Sequence, residues 1–336
     1  MQAGPATCGG PAHAMGALEE LERLALPGPS LVSVGVFDGV HRGHQRLLRE
    51  LVARARERGA VSVVLTFRNH PRTVLQGGSP VPLLAGLEER FARIRDLGVD
   101  RVVALPFDAG LAQLTAREFV LLLRRRLGMV GMVMGPTFRL GRGAEGTPQV
   151  LQDLGRELGF AVIVVEPLAL EDCTPINSTA IRDALARGGV ERAAEMLGRP
   201  YTLPGVVVRG EGRGRGLGFP TANLEPDPGR AVPGDGIYAT WAEVEGRRYP
   251  SATSIGLRPT FGGQRRTVEA YLMDFEGDLY GRRMALTFVA RLREERRFPS
   301  VSALVEQMAR DVEDARRRLG VPQPASVEEP DGSHPR

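Results

Sequence analysis

Apolar and polar positions follow two different rhythms along this chain. From Leu18 to about Gly198, short apolar runs are separated by amphipathic stretches. The runs Leu31–Val36, Val61–Phe67, Val102–Leu105, Gly131–Gly135 and Phe160–Val165 have the length of buried strands, and several are rich in β-branched residues. The stretches near 44–58, 86–97, 116–127 and 147–158 repeat their apolar residues at helical spacing. This alternation predicts an α/β fold: an open, doubly wound, mostly parallel sheet with helices on both faces. In that architecture ligands bind outside the carboxyl ends of the strands.

After Arg199-Pro200 the rhythm changes. Short β-type segments follow at Tyr201–Val208, Gly236–Val244, Tyr249–Ile255, Arg266–Met273 and Met284–Arg291, closely punctuated by Gly and Pro. They predict a small antiparallel β-barrel. A last amphipathic stretch, Val301–Leu319, predicts a closing helix with Val301, Leu304, Val305, Met308 and Val312 on its apolar side. The expected organisation is a disordered tail over 1–17, an α/β domain over 18–198, a barrel domain over 199–320 and a disordered tail over 321–336.

Composition then removes several function classes. The 336 residues are 42% hydrophobic and 25% charged, as in an ordinary globular protein. No stretch is long and apolar enough to span a membrane, and residues 1–16 lack the features of a signal peptide. A cytoplasmic protein without membrane partners is expected. Two cysteines, Cys8 and Cys173, make neither a disulfide framework nor a metal cluster. All 44 Lys+Arg residues are arginine. Walker A, Schiff-base and protein-kinase lysines are therefore excluded, and nucleotide chemistry must run on Arg, His, backbone amides and metal. The net charge of +4 suits anionic ligands without requiring nucleic acid.

The first candidate site follows the first strand, in Leu31–Leu47. Gly35 and Gly39 bracket a tight turn, then His41-Arg42-Gly43-His44 leads into a helical repeat. A helix N-terminus favours phosphate, and two imidazoles three residues apart add N–H donors on the same side. Such donors stabilise charge on an α-phosphate under attack. Gly35, Phe37, Asp38, His41 and His44 are the candidates here. Further on, Asn177-Ser178-Thr179-Ala180-Ile181-Arg182 starts a helix, with Arg182 one turn in, placed to meet outer phosphates. Leu114-Thr115-Ala116-Arg117-Glu118 reads as a capping box.

The second half carries Arg213-Gly214-Arg215-Gly216-Leu217-Gly218-Phe219-Pro220-Thr221-Ala222-Asn223. Its glycines can fold backbone over phosphates. Thr221 and Asn223 offer hard oxygens suited to Mg²⁺. Ile255-Gly256-Leu257-Arg258-Pro259-Thr260-Phe261 reads as a Gly/Pro turn, and Glu269 lies on a strand between Val268 and Ala270.

Together these pieces resemble the bifunctional prokaryotic riboflavin kinase/FMN adenylyltransferase family. The matching motifs run in order from Gly-Val-Phe-Asp-Gly-Val-His-Arg-Gly-His through Leu-Thr-Phe-x-x-His-Pro-Arg and Ser-Thr-x-Ile-Arg to Gly-Phe-Pro-Thr-Ala-Asn, Ile-Gly-x-Arg-Pro-Thr-Phe and Asp-Phe-x-Gly-Asp-Leu-Tyr-Gly. The resemblance implies a nucleotidyltransferase domain that joins FMN and ATP into FAD, with His41, His44, Ser178, Thr179 and Arg182 on the nucleotide phosphates. It also implies a barrel that phosphorylates riboflavin with ATP. There Thr221 and Asn223 would hold Mg²⁺ and Glu269 would act as general base, while Arg213, Gly214, Gly218, Phe219, Pro220, Arg258 and Thr260 would bind ATP or flavin. ATP, riboflavin, FMN and FAD are the implied small molecules, with a monomer or weak homo-oligomer and no nucleic-acid partner. The chain departs from the family pattern at Thr137, Asn69 and Ser254. Two other readings stand beside this one: a kinase whose adenylyltransferase half is impaired, and an RNA-binding protein using its Arg/Gly loop.

Overall fold

Mostly apolar segments four to seven residues long build one sheet from five parallel strands: β1 (Ser30–Val34), β2 (Val61–Phe67), β3 (Arg101–Leu105), β4 (Met129–Met134) and β5 (Ala161–Val164). Their order is β3-β2-β1-β4-β5 in this computed structural model, which describes residues 15–26, 28–75, 77, 81–210, 213–260 and 263–322. The expectations for Phe261 and for the two ends beyond 15 and 322 lie outside the described residues. Connecting them are the helices α1 (Ala17–Arg23), α2 (Arg42–Glu57), α3 (Pro71–Leu75), α4 (Leu87–Asp96), α5 (Ala109–Gln113), α6 (Ala116–Leu127) and α7 (Pro148–Leu158).

Strand alternation sends side chains to opposite faces. Leu31, Val64 and Val133 pack against Leu48, Leu51 and Val52 of α2. Val32, Val63, Leu65 and Met132 pack against α1 and α6 through Leu21, Phe119, Val120 and Leu123. The chain winds outward from β1 to β3, then returns to lay β4 on the other side of β1. The switch point therefore falls between β1 and β4, and the turn that leaves β1 opens onto it. The expected strands and main helices are present, shifted by one or two residues. The amphipathic helix α1, where a tail was expected up to residue 17, was not anticipated. The capping box forms: Thr115 Oγ1 accepts from the Glu118 N–H at 3.2 Å, and the Glu118 carboxylate accepts from the Thr115 N–H at 2.8 Å.

The chain packs as two compact units that divide between Ile176 and Asn177. This lies upstream of the composition change at Arg199. In the second unit α8 (Ser178–Ala186) and α9 (Val190–Leu197) pack on each other, and α9 packs on β6 (Tyr201–Val208) and β11 (Arg283–Arg293). Between these strands come α10 (Arg213–Gly216), β7 (Ala222–Pro226), β8 (Gly236–Val244), β9 (Arg247–Thr260) and β10 (Gly263–Leu272). The six strands close a barrel in the order β10-β7-β6-β11-β8-β9, and α11 (Val301–Leu319) packs on β8, β9 and β11.

One sequence reading changes here. Ile255–Thr260 is not a turn, because β9 runs on to Thr260 against β10. Pairing with β8 ends at Ile255, so Pro259 costs no ladder hydrogen bond on that side. Thr221 ends the loop that leads into β7, and Asn223 is a strand residue of β7, between Val208 and Glu269 of its neighbours.

Candidate active sites

In the first unit the turn after β1 is held in costly backbone. Phe37 (φ 51°), Gly39 (φ 79°) and Val40 (φ 41°) all have positive φ. Positive φ is rare for Phe and a marked outlier for the β-branched Val. Burial holds them there, since Phe37 is 4% and Val40 1% exposed. The turn delivers His41 as the N-cap of α2, where its Nδ1 accepts from the His44 N–H at 3.3 Å. In a neutral His41 that bond leaves the proton on Nε2, pointing away from the helix. The His41 and His44 rings stack with centroids 3.6 Å apart, and the Phe37 ring meets His44 edge-on at 5.2 Å. A Cβ on Gly43 would lie 3.2 Å from the His41 ring and 3.3 Å from the Ile176 carbonyl oxygen. Glycine is what lets the ring and the returning chain close on the helix start.

Burial, and secondarily the neighbouring His41, hold the His44 pKa well below the usual histidine value. The folded protein thus favours neutral His44, whereas the unfolded chain binds a proton near pH 6.5. Stability should then fall as pH drops below about 6.5, because the unfolded state takes up more protons. Thermal melts at pH 7.5 and 5.5 should show a larger drop for the parent protein than for His44→Gln. Equal drops would refute the assignment.

Asp38 is 2% exposed, and its carboxylate accepts from the Leu84 N–H at 2.9 Å and the Ala85 N–H at 3.1 Å. Gly35 stands at the start of the same turn, where a Cβ would lie 3.2 Å from the Phe37 ring. Ser178, Thr179 and Arg182 lie on α8, in the second unit. The cap of that helix is Asn177, whose side chain accepts from the Ala180 N–H at 2.9 Å. Asn69, one of the departures, has a local role: its amide donates to the Phe107 carbonyl at 2.8 Å and accepts from the Phe107 N–H at 2.7 Å. Thr137 is exposed in the turn after β4, and no contact explains the departure there.

The second unit contains a cavity of about 600 Å³ between the barrel and α11. Thr221, Asn223 and Glu269 all line it. Asn223 lies directly opposite Glu269 in the antiparallel pairing of β7 with β10. Opposed residues place their Cβ atoms about 5 Å apart. Alternation along β10 points Thr267, Glu269 and Tyr271 into the cavity and buries Val268, Ala270 and Leu272. Thr267 Oγ1 donates to the Glu269 carboxylate at 3.2 Å. Gly214 and Phe219 also line the cavity, with the Phe219 ring edge-on to Tyr271 at 5.3 Å. Gly218 and Pro220 are exposed and are not among the lining residues. The side chains of Arg213, Arg258 and Thr260 lie outside the described part.

Gly210 has a reason to be glycine: a Cβ there would collide with the Asn223 side-chain amide.

Sequence reasoning missed the far wall. Leu304, Met308 and Val312 line the cavity, so the apolar stripe of α11 is spent partly on the cavity and partly on the core. Arg293 and Asp311 fix this wall: the guanidinium donates to the carboxylate at 2.8 and 2.6 Å, and Asp311 is 5% exposed. The stripe was visible in the sequence, but a stripe facing a core and one facing a ligand have the same period.

Comparison with known proteins gives the family of the chain. A family model described as FAD synthetase matches residues 25–180, and one described as Riboflavin kinase matches residues 197–319. The bifunctional riboflavin kinase/FMN adenylyltransferase of Escherichia coli (strain K12) is 37% identical over 299 residues, 88% of this chain and 94% of that protein. The chain belongs to this bifunctional family. The Bacillus subtilis (strain 168) member is 36% identical over 86% of this chain and 92% of its own length. A solved structure from Streptococcus pneumoniae, titled a macrolide-efflux protein, is 32% identical with a TM-score of 0.80, covering 88% of this chain and 96% of that one. Among the described residues, no helix of this family member is long and apolar enough to cross a membrane.

Proposed function

We propose that the two reactions divide between the two units. The first unit transfers the adenylyl group of ATP to FMN, giving FAD and pyrophosphate. The barrel transfers the γ-phosphoryl group of ATP to riboflavin, giving FMN and ADP. The observation that carries this reading is the convergence of Thr221, Asn223 and Glu269 on one cavity, in a chain that separately stacks His41 on His44 at the start of α2.

In the barrel, Glu269 accepts the proton of the ribityl hydroxyl as its oxygen attacks the γ-phosphorus, the general-base role. Tyr271, Phe219 and the apolar side of α11 exclude water around the ring of the substrate. In the first unit no covalent intermediate is needed. A phosphate oxygen of FMN attacks the α-phosphorus, and the imidazole N–H donors meet the charge that develops.

The reading includes Mg²⁺ at Thr221 and Asn223. Their neutral hard oxygens fit it, and when bound it would neutralise phosphate charge. Among the described residues, no group of three His, Cys, Asp or Glu residues is placed to hold a metal. Nucleotide oxygens must then supply the negative charge. Mg²⁺ should bind weakly alone and tighten with ADP in a calorimetric titration, and equal affinity in both conditions would overturn the assignment. The reading also carries a cytoplasmic monomer or weak homo-oligomer acting on small molecules alone. The deciding experiment is incubation with riboflavin, ATP and Mg²⁺ and chromatographic separation of FMN from FAD. Both flavins should appear. FMN alone would leave a kinase with an impaired adenylyltransferase half, and neither would refute both activities.

A further inference from the structure

Among the described residues, one of the largest fully buried side chains is charged. Arg90, on α4, is 1% exposed. One arm of its guanidinium donates to the Val36 carbonyl at 2.6 Å and to Thr66 Oγ1 at 3.3 Å, and the other donates to the Phe67 carbonyl at 3.1 Å. It therefore ties the carboxyl end of β2 to the residue that opens the strained turn after β1. Thr66 Oγ1 donates to the same Val36 carbonyl at 3.1 Å.

A buried charge of opposite sign, Asp38, lies on the same turn that Arg90 grips at Val36. Desolvation lowers the Arg90 pKa, and the Asp38 carboxylate offsets part of that. Arginine stays charged in any protein environment, so the buried cation needs this anion. Asp38 in turn accepts from the backbone of Leu84 and Ala85, which lie just before α4 and so before Arg90 itself. The contacts close a circuit: Val36, Arg90, α4, the Leu84-Ala85 backbone, Asp38, and back along the turn. Inside that circuit sit Phe37, Gly39 and Val40 with their positive φ, and immediately after it comes His41.

We infer that Arg90 and Asp38 are a pair of positioning residues for adenylyl transfer: a buried charge latch that holds the strained turn and so sets where His41 and His44 present their donors. The inference rests on the adenylyl-transfer reading of the first unit. It gives Asp38 a different role from the one its place in the Phe-Asp-Gly-Val motif implies, because the carboxylate acts through Arg90 and the Leu84-Ala85 backbone instead of touching phosphate. It also explains why a protein would bury an arginine among three backbone and hydroxyl acceptors when an apolar residue would pack as well.

The test uses the full-length enzyme and three variants: Arg90→Lys, Asp38→Asn and both together. Lysine keeps the charge but lacks the planar fork that reaches Val36 and Phe67 at once. Asparagine keeps the shape and one acceptor but removes the charge. Each single variant should lower kcat for FAD formation from FMN about 10-fold to 100-fold, since small misplacements of donors cost rates of that order. The KM for ATP should change less than about 3-fold, because ground-state binding does not depend on the donors meeting the transition state. The double variant should be no worse than about the weaker single, because the two act as one unit. FMN formation in the same tube reports on the rest of the molecule, and assays are run well below the first thermal transition of each variant. Unchanged kcat in Arg90→Lys, additive losses in the double variant, or a rise in the KM for ATP confined to Asp38→Asn would each overturn the latch. The last result would return Asp38 to the nucleotide. If the parent enzyme made no FAD, the adenylyl-transfer reading would fail first, a distinct outcome.

Discussion

Glu269→Gln is expected to lower riboflavin phosphorylation by about 10² to 10⁴ while FAD formation from supplied FMN stays near normal. The substitution keeps the size and the hydrogen bond that Thr267 offers at 3.2 Å, but removes the capacity to take a proton. Glu269 is half-buried on β10, opposite Asn223 and facing the 600 Å³ cavity, which is where the proposed reading puts the substrate hydroxyl. A strand glutamate facing solvent would give no such loss. Separating FMN from FAD after incubation with riboflavin, and again with FMN, reads both reactions in one protein. If the variant lost FAD formation from FMN as well, with its circular dichroism unchanged, the two reactions would share one site and the division between units would fail.

The sequence made the alternation, the barrel and both motif sets legible because each depends on local pattern. Period-two and period-3.6 apolar spacing placed β1, β2, α2 and α6 within one or two residues, and His41 and His44 fell at a strand-to-helix boundary that any reading of Leu31–Val36 would find. What stayed hidden depends on contacts between distant residues. Helical spacing puts Arg90 three residues after Leu87 and four before Ile94, on the apolar face of α4, but does not say what a buried arginine there would hold. Only the fold shows that Arg90 is buried under Val36 and Phe67, while Arg93 pairs with Glu89 on the surface of α4. Asp311 was equally silent. It sits among Glu306, Glu313 and Asp314 on an amphipathic helix, and its meaning comes from Arg293, eighteen residues earlier. The Ile255–Thr260 stretch misled in the opposite direction. Gly and Pro usually punctuate, but Gly256 lies inside β9, paired with Thr267 of β10, and Pro259 sits where β9 has already parted from β8.

His41→Ala and His44→Ala should each do the reverse of the glutamate variant, lowering FAD formation about 10²-fold or more and sparing riboflavin phosphorylation. On the proposed reading each removes a donor to the phosphate under attack, and His41→Ala also removes the cap whose Nδ1 accepts from the His44 N–H. Loss of an N-cap costs about 1 kcal/mol in helix stability, too little to unfold a unit with two apolar clusters around its sheet. The pH profile then separates two ways in which His44 can act. Burial first, and repulsion from the stacked His41 second, disfavour its protonated form. If the neutral ring is the working donor, kcat for FAD formation in the parent enzyme should stay level from about pH 6.5 to 8, across the range where an ordinary histidine loses its proton. If an imidazolium were required, the rate would fall as pH rises through the same range, and it would fall in His41→Ala as well. His44→Gln offers an amide N–H that cannot become charged. Recovery of part of the rate in that variant, with a flat profile, fits a neutral donor; a variant as poor as His44→Ala, together with a falling profile in the parent, would show that the charge itself does the work.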